Sequence, residues 1–312
     1  MKKTLVVATL ATLATTAAFA QSSVTIYGRL NLTVEQVDQD GLKTKYLNNN
    51  SSRIGFKGNE DLGGGLRAGF QLEHGFDPST GLPNAVFWGR QSEVNLSGGF
   101  GMIRMGRFTS EAYFATADYI SMHNHDTGNS EDELYAYIGR NQNKIAYRLP
   151  TLTKNLQAEI AVSAPENAPG QKRSWDGAVN YSLGALALGL GYEKNGDSNQ
   201  FAVRGLYEMG PFVFGAYVQR HHDAVKSDRT LYRLSGAYNI GSSEFHLNYG
   251  HAGAFSKVSG SEADQWTVAY NYKLSKRTKI YTYYTKVNDA PGAKSVSVGD
   301  RKSIAFGIRH NF

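Results

Sequence analysis

The stretch SIAFGIRHNF, residues 303–312, decides the fold class because its apolar and polar residues alternate. Ile304, Phe306, Ile308 and Phe312 share one parity, while small or polar residues take the other, with His310 as the exception. Such alternation indicates a β-strand with one apolar and one polar face. A strand that is apolar outside, polar inside and closed by an aromatic residue suits a membrane barrel whose outer face meets lipid.

The amino terminus has the pattern of a secretory signal peptide. Lys2 and Lys3 give it a positive start, residues 5–13 are mostly apolar, and Ala18–Ala20 forms a small-x-small cleavage site. The alternative, a single membrane-spanning helix, needs a longer apolar run than this one. We therefore predict a signal peptide over residues 1–20 and a barrel domain over residues 21–312.

The composition agrees with an exported β-barrel. The mean hydropathy is −0.41, which argues against a helical membrane protein, whereas a barrel needs only every second residue to be apolar. The chain has no Cys, 19 Tyr and 34 Gly, so we expect no disulfides and a fold stabilised by closure of the sheet. Loss of Lys2 and Lys3 would leave 31 basic against 27 acidic residues, too mild an excess for a nucleic-acid partner.

Reading for alternation predicts an all-β fold, a transmembrane antiparallel β-barrel of 16 strands. Short and long connections tend to alternate along the chain, as expected for periplasmic turns and external loops. Residues 98–101, 182–185, 208–211 and 240–243 are predicted short turns. The predicted strands cover residues 24–37, 51–58, 66–76, 87–96, 102–107, 144–149, 156–163, 174–181, 186–193, 200–207, 212–220, 230–239, 244–252, 265–272, 278–286 and 301–312. The predicted long loops cover residues 38–50, 108–143, 255–264 and 288–299.

Parity assigns a face to each side chain of the first strand. We expect Val24, Ile26, Leu30, Leu32 and Val34 to face lipid or a neighbouring subunit, and Thr25, Tyr27, Arg29, Asn31 and Glu35 to face inward. A soluble β-sandwich would also alternate, with its apolar side in the core. The strand number, the aromatic content and the secretory signal favour the membrane barrel.

Residues 108–143 form the longest connection and show no clear periodicity. Loops of this length are usually functional or disordered, and a 16-stranded barrel has room for one in its lumen. We predict that this loop folds inward and narrows the pore, where it would present acidic side chains; the alternative is a flap over the mouth. These side chains are Glu111, Asp118, Asp126, Glu131, Asp132 and Glu133.

Basic side chains are predicted to line the wall that faces this loop. Arg53 and Lys57 lie on the parity opposite Ile54 and Phe56. Arginine in a narrow, poorly hydrated constriction attracts anions, although each could instead form cross-strand ion pairs. Further inward candidates are Arg67, Arg104, Arg148, Arg204 and Arg233. Strict alternation sends Arg90 outward with Val94 and Leu96, unless a bulge at Gly89 redirects it.

Several motifs resemble the general porins of Gram-negative outer membranes, in the branch typical of β-proteobacteria. They are SSVTIYG (22–28), SRIGFKGNEDLGGGL (52–66), GRQ (89–91), LSGGFG (96–101), MGR (105–107), LSKRT (274–278) and the closing FGIRHNF (306–312). The resemblance implies a 16-stranded homotrimer in the Gram-negative outer membrane, with the third external loop in each lumen and passive passage of small hydrophilic solutes, often with a preference for anions.

The resemblance also implies which residues form the constriction. By position, Arg53, Arg90 and Arg148 would cluster on the wall facing the third loop, residues 108–143. The family's loop is Gly-rich and weakly charged, whereas the run Glu131, Asp132, Glu133 here would oppose an anion preference. We therefore predict a pore constriction formed by Arg53, Lys57, Arg90, Arg148, Glu111 and Asp118, with Arg67, Arg104, Arg204 and Arg233 as other pore-lining residues.

No enzyme motif accompanies these features. A nucleophile elbow, a Walker loop and HExxH are all missing from the sequence, and we predict no cofactor and no metal site, although His123, His125 and Asp126 could in principle hold a metal. The expected partners are outer-membrane lipid and lipopolysaccharide, ions and small hydrophilic solutes. Three functions stay open: a general diffusion porin with a mild anion preference, a substrate-selective channel, and an adhesin or surface antigen.

Overall fold

The computed structural model describes residues 23–123, 133–151, 153–165, 170–289 and 300–312. The predicted signal peptide and the predicted loop residues His125, Asp126, Glu131 and Asp132 lie outside this part of the chain. The described strands are β1 (Ser23–Gln39), β2 (Leu42–Asn49), β3 (Arg53–Gly63), β4 (Leu66–Asp77), β5 (Leu82–Pro83), β6 (Gln91–Gly98), β7 (Gly101–Arg107), β8 (Lys144–Arg148), β9 (Leu156–Ser163), β10 (Ser174–Leu183), β11 (Leu186–Asn195), β12 (Ser198–Met209), β13 (Phe212–Asp223), β14 (Ser227–Ile240), β15 (Ser243–Ala252), β16 (Ala263–Lys273), β17 (Thr278–Asp289) and β18 (Arg301–Asn311). The helices are α1 (Glu111–Ala115) and the 3₁₀ turn η1 (Asp118–Ile120).

These strands form one closed antiparallel wall, because β1 pairs with β18 as well as with the strands that follow it. Strands β2 and β3 pair with successive parts of β1 and so act as a single wall strand. Strand β5 pairs only with the end of β4, in a short hairpin beyond the wall. Sixteen wall strands remain, as the sequence predicts.

The predicted long loop at residues 38–50 is wrong. Most of it is strand β2, which pairs with β1 through a two-residue turn at Asp40 and Gly41, whose φ values are 51° and 85°. Two consecutive positive φ values match the twist of a tight hairpin. The mixed sequence LKTKYLNN hides this strand because its apolar residues do not alternate.

Other predicted elements differ less. Strand β6 begins at Gln91, so the first four residues of the predicted strand 87–96 are wrong. The four predicted short turns are confirmed, since their flanking residues pair directly. Some external connections are also short, such as the one between Asn195 and Ser198, so the alternation of loop lengths is only partial.

The two faces of the wall have the predicted polarity. On β1, Val24 and Val34 on the outward parity are 66% and 64% exposed, whereas Asn31 and Glu35 on the inward parity are 0% and 2% exposed. Trp266 and Tyr284 also pack on the outer face, with ring centroids 5.2 Å apart. A soluble barrel would have the opposite arrangement, so this one is built for a lipid exterior and a polar interior.

The two ends of the wall meet at Gly28 and Phe312. The Gly28 amide donates to the Phe312 carbonyl, and the Phe312 amide donates to the Gly28 carbonyl, each at 3.1 Å. A Cβ at Gly28 would lie 2.3 Å from the Phe312 ring. Glycine is therefore required at position 28 for the terminal ring to cover the closing pair of strands.

Helix contributes little to this fold. Within the residues described, no helix is long and apolar enough to cross a membrane. Helix α1 and turn η1 both belong to the connection between β7 and β8, which carries the candidate site.

Candidate pore constriction

The connection between β7 and β8, residues 108–143, is here called the inner segment. Its helix α1 begins after Ser110, whose Oγ accepts a hydrogen bond from the Tyr113 amide at 3.2 Å. The helix packs against the inner face of β11, where a Cβ at Gly191 would lie 2.7 Å from the Ala112 carbonyl oxygen. A Cβ at Gly189 would lie 2.3 Å from the Ala115 carbonyl oxygen. Glycine at two inward positions therefore makes room for the helix.

One buried carboxylate, that of Glu193 on β11, holds both ends of the inner segment. It accepts hydrogen bonds from Ser110 Oγ at the start of the segment and from the amides of Ile138 and Gly139 near its end, the last two at 3.0 and 3.1 Å. Charge-assisted bonds of this kind are about twice as strong as neutral ones. Glu193 thus positions the two ends relative to the wall.

Further contacts continue along the inner face of the barrel. Arg204 Nε on β12 donates to the Ala115 carbonyl at 2.8 Å, and its guanidinium lies 3.6 Å from the centre of the Tyr119 ring. Gln219 on β13 bonds both the amide and the carbonyl of Ala136, at 2.9 and 3.0 Å. These partners have inward parity, so the described part of the inner segment lies against the inner face of the wall.

The inner segment also contacts strands close to the β1–β18 pairing, through His123 and Glu133. His123 lies 5.2 Å from the His246 ring on β15, and Glu133 forms an ion pair with Arg301 on β18. Burial holds the pKa of His123 well below its usual value, and His246, Lys279 and Arg309 lower it further. Its ring is therefore neutral against the wall at physiological pH.

Arg148, a predicted constriction residue, joins the inner segment to the wall. Its Nη2 donates to Glu111 Oε2 of α1 at 2.9 Å, and its Nε donates to Glu159 Oε2 of β9 at 2.9 Å. Arg104 bonds the same Glu159 at 3.2 Å and also Glu93 at 2.7 Å. Two arginines and three carboxylates thus form one network, of which the sequence predicts both arginines and Glu111 but not Glu93 or Glu159.

Glu111 is the acidic member of this network that belongs to the inner segment. Burial raises the pKa of its carboxyl group, and the nearby Arg148 guanidinium partly opposes that rise. The group is therefore easier to neutralise than an ordinary glutamate, so the charge beside Arg148 changes at a higher pH than an ordinary glutamate would give.

Arg53 and Arg90 share one carboxylate on the facing part of the wall. Arg90 Nε lies 2.6 Å from Glu73 Oε1, and Arg53 Nε lies 3.8 Å from the same oxygen. Tyr27 donates its hydroxyl to the other oxygen of Glu73 at 2.9 Å. Both arginines therefore reach the inward-facing side of β4.

Strict alternation sends Arg90 outward, and the structure shows why that rule fails. Arg90 precedes β6, which begins at Gln91, so its side chain does not follow the parity of Val94. The preceding Gly89 amide donates to the Val86 carbonyl at 3.0 Å, which turns the chain just before the strand. The side chain of Arg90 can therefore point into the barrel.

The remaining predicted residues differ in how far they are buried. Lys57 and Arg67 are inward and exposed, Lys57 with its Nζ 5.3 Å from the centre of the Tyr27 ring. Asp118 is the half-buried first residue of η1. Arg204 and Arg233 are inward but fully buried, and Arg233 donates to Asn248 and Gln265 at 2.6 and 2.7 Å. These two arginines stabilise the wall and the inner segment.

Sequence reasoning missed the carboxylates that hold the arginines and the ends of the inner segment. Glu73, Glu93, Glu159 and Glu193 all lie on the inward parity of their strands. Parity alone was sufficient to detect them, but which carboxylate meets which arginine depends on the cross-strand register, which no local pattern encodes.

Comparison with known proteins decides the family. The family model for Gram-negative porins matches residues 6–290. The chain belongs to this family. Outer membrane porin protein 32 of Delftia acidovorans is 31% identical, and the alignment covers 100% of both chains. Major outer membrane protein P.IB of Neisseria lactamica is 26% identical, with the same coverage. An anion-selective porin from Comamonas acidovorans has a similar structure, with a TM-score of 0.81 and 27% identity over 94% of this chain and 100% of that one.

The porin is accordingly a protein of the Gram-negative outer membrane. Its closed antiparallel wall has the apolar exterior that such a location requires. Porins form channels, so the polar interior and the inner segment are the parts of the molecule from which its function should be argued.

Proposed function

We propose that this porin is a general diffusion channel for ions and small hydrophilic solutes, with a mild preference for anions and no enzymatic activity. Flux through it is passive and follows the solute gradient. The constriction is formed by Arg53, Lys57, Arg90 and Arg148 on the wall and by Glu111 and Asp118 on the inner segment.

One observation carries the anion preference: the arginines are more exposed than the carboxylates they contact. The side chains of Arg90 and Arg148 are 30% and 26% exposed, whereas those of Glu73, Glu111 and Glu159 are 12%, 14% and 1% exposed. A passing ion therefore meets the guanidinium groups first. The preference is mild because each arginine also has a carboxylate close behind it.

The similar structure from Comamonas acidovorans is that of an anion-selective porin, which supports the same sign of selectivity here. The acidic run at residues 131–133 opposes it, but Glu133 is engaged with Arg301 on the wall. That pairing reduces the negative charge which the run presents to the lumen.

We also infer that the chain forms a homotrimer and contacts lipopolysaccharide, as the family resemblance implies. Exposed apolar side chains such as Ile26, Leu247 and Phe306 cover the outer face of several strands. They need either lipid or a neighbouring protomer as a partner. Trimer contacts and lipid contacts require the same kind of surface, so crosslinking of the purified protein would distinguish them.

Recording in planar lipid bilayers tests the proposed function. With a potassium chloride gradient, we expect a reversal potential of the sign that chloride selectivity gives, and a current that rises linearly with solute concentration. A cation-selective reversal potential would refute the anion preference. Saturation by one solute would instead favour the substrate-selective channel, and no conductance would refute the channel itself.

A further inference from the structure

A row of basic side chains crosses the inner wall beside the constriction, on strands β17, β18 and β1. Lys279 on β17 is the direct register partner of Arg309 on β18. Arg309 in turn lies opposite Asn31 on β1, and Arg29 lies opposite Asn311, one inward position further along each strand. Lys279, Arg309 and Arg29 therefore occupy neighbouring inward positions on three adjacent strands.

Like charges lie directly opposite each other at two places in this part of the wall. Residues directly opposite on antiparallel strands have Cβ atoms about 5 Å apart, and like charges there destabilise the pair. Lys279 opposes Arg309, and Arg29 opposes Arg53 of the constriction. These two pairs, on the β17–β18 and β1–β3 ladders either side of the β18–β1 ladder, concentrate positive charge on one part of the lumen wall.

Neutral and shared acceptors hold these side chains in place. Arg29 Nε donates to Asn311 Oδ1 at 3.1 Å, and Arg309 Nε approaches the same oxygen at 3.5 Å. Lys279 Nζ lies 3.9 Å from Glu244, whose other oxygen lies 2.6 Å from Lys273. One amide oxygen thus orients two guanidiniums, and one carboxylate serves two ammonium groups.

His123 of the inner segment lies close to this row. Burial and His246 lower the pKa of His123 most, and Lys279 and Arg309 lower it further. Lys279 itself is 20% exposed, so an ion in the lumen can reach it.

Lys279 and Arg309 lie towards the periplasmic end of the lumen. Lys279 is the second residue of β17, just after the short connection that follows Lys273, and Arg309 is close to the end of the last strand. Short connections face the periplasm in barrels of this kind. Arg29 links the row to Arg53, since the two are register partners.

We propose that Arg29, Lys279 and Arg309 form a second anion subsite, which takes a small, multiply charged oxyanion of the phosphate type after it has passed the constriction. Guanidinium groups match tetrahedral oxyanions with paired N–H donors, and an ammonium group adds a compact charge. The proposal rests on the proposed channel function and extends it, because conduction through several weak sites lets an ion enter and leave quickly.

The subsite has a consequence for transport. A singly charged chloride ion passes it with little delay, whereas a doubly charged phosphate ion dwells there and obstructs the chloride current. The obstruction depends on side, because phosphate added on the periplasmic side reaches the subsite without crossing the constriction.

The experiment measures block of the chloride current by inorganic phosphate added to one side of oriented single channels. For the wild type we expect saturable block that is stronger from the periplasmic side. The double variant Lys279→Gln, Arg309→Gln should weaken the apparent phosphate affinity about tenfold, the equivalent of one charge-assisted hydrogen bond. The charge-conserving variant Lys279→Arg, Arg309→Lys should retain most of the block. Its conductance also shows whether the barrel folds when both side chains are changed.

The matched control is Lys302→Gln, which removes a charge from the outer face of the same strand, and which should leave the block unchanged. No phosphate block in the wild type, or equal block in the double Gln variant, would overturn the subsite while leaving the channel function intact. A wild type that lacks chloride selectivity would instead contradict the proposed function. The reversal potential in a chloride gradient, measured on the same channels, therefore distinguishes failure of the subsite from failure of the proposed function.

Discussion

At the scale of single residues, the selectivity of the constriction depends on which charges meet the lumen. Arg53 and Arg148 have carboxylate partners on the wall or the inner segment. Arg148 is 26% exposed against 14% and 1% for Glu111 and Glu159, whereas Arg53 and Glu73 are almost equally exposed, at 15% and 12%. Neutralising only the cations leaves the carboxylates uncompensated. The sign of the local potential should then shift towards cation preference.

We therefore predict that the double variant Arg53→Gln, Arg148→Gln lowers the ratio of anion to cation permeability by roughly twofold or more. The measurement is the reversal potential in a potassium chloride gradient. Lys302→Gln, which removes an outward-facing charge, serves as the control and should not change the ratio. An unchanged reversal potential in the double variant would remove these two arginines from the constriction.

Glu111 gives the constriction a predicted pH dependence. Because burial raises its pKa above the ordinary glutamate value, it takes up a proton at a higher pH than an ordinary glutamate does. Lowering the pH from neutral through this range removes a negative charge beside Arg148, so the anion to cation permeability ratio should rise. Glu111→Gln should show a higher ratio already at neutral pH and a smaller change on acidification. Equal pH profiles for the two proteins would contradict this assignment.

The residues of the site could be predicted only in part from the sequence. Parity placed Arg53, Arg104 and Arg148 inward, because alternation along a strand is a local property. Their partners Glu73 and Glu159 were not identified, since pairing needs the register between strands. Arg90 required the family resemblance, because it lies before its strand and obeys no parity.

At the scale of elements, the inner segment is the part whose position matters most for the pore. Its helix α1 has only five residues, and helices this short are not stable by themselves. Its place is set by contacts with the wall, above all by Glu193, which bonds Ser110, Ile138 and Gly139.

We predict that Glu193→Ala releases the inner segment from the wall. Hydrogen bonds to a charged group contribute about 1.5–3 kcal/mol each, so their combined loss should be visible as higher open-channel noise and a broader distribution of single-channel conductance. Glu193→Gln keeps one acceptor and should be intermediate. Glu60→Ala, which removes an exposed carboxylate from the outward parity of β3, is the control. Quiet channels of wild-type conductance in Glu193→Ala would show that other contacts suffice.

Elements were predictable from the sequence where the apolar residues alternate cleanly. Leu186, Leu188 and Leu190 mark β11 without ambiguity, and their parity holds in the structure. Strand β2 was missed because lysines and asparagines dominate it beyond the lipid-facing part of the wall. The path of the inner segment was predicted from its length and the size of the lumen, whereas its individual contacts depend on glycines at positions 189 and 191 that leave space for α1.

At the scale of the whole molecule, stability comes from closure of the wall. In the described part of the chain the first and last strands pair with each other, so they satisfy each other's backbone groups instead of leaving two sheet edges in the lipid. The strand number could be predicted from the sequence because the same period-two rhythm recurs along the chain. The closing contact could not, because it joins residues at opposite ends of the sequence.

That contact gives a prediction about the barrel as a whole. Gly28→Val places side-chain atoms where the Phe312 ring now lies, since even a Cβ would be 2.3 Å from that ring and 2.5 Å from the Arg53 carbonyl oxygen. The terminal ring must move, and the β1–β18 pairing should weaken. We expect this variant to unfold at a lower temperature. The measurement is to incubate samples at a series of temperatures before detergent gel electrophoresis and to follow the loss of the folded, faster-migrating band. Gly236→Val makes the same substitution on β14, where the nearest atom to a Cβ is 3.9 Å away, and it should unfold at the wild-type temperature. If both variants unfold at the same lowered temperature, the loss of stability reflects valine at a strand glycine in general. The closing pair of strands then has no special role in keeping the barrel closed.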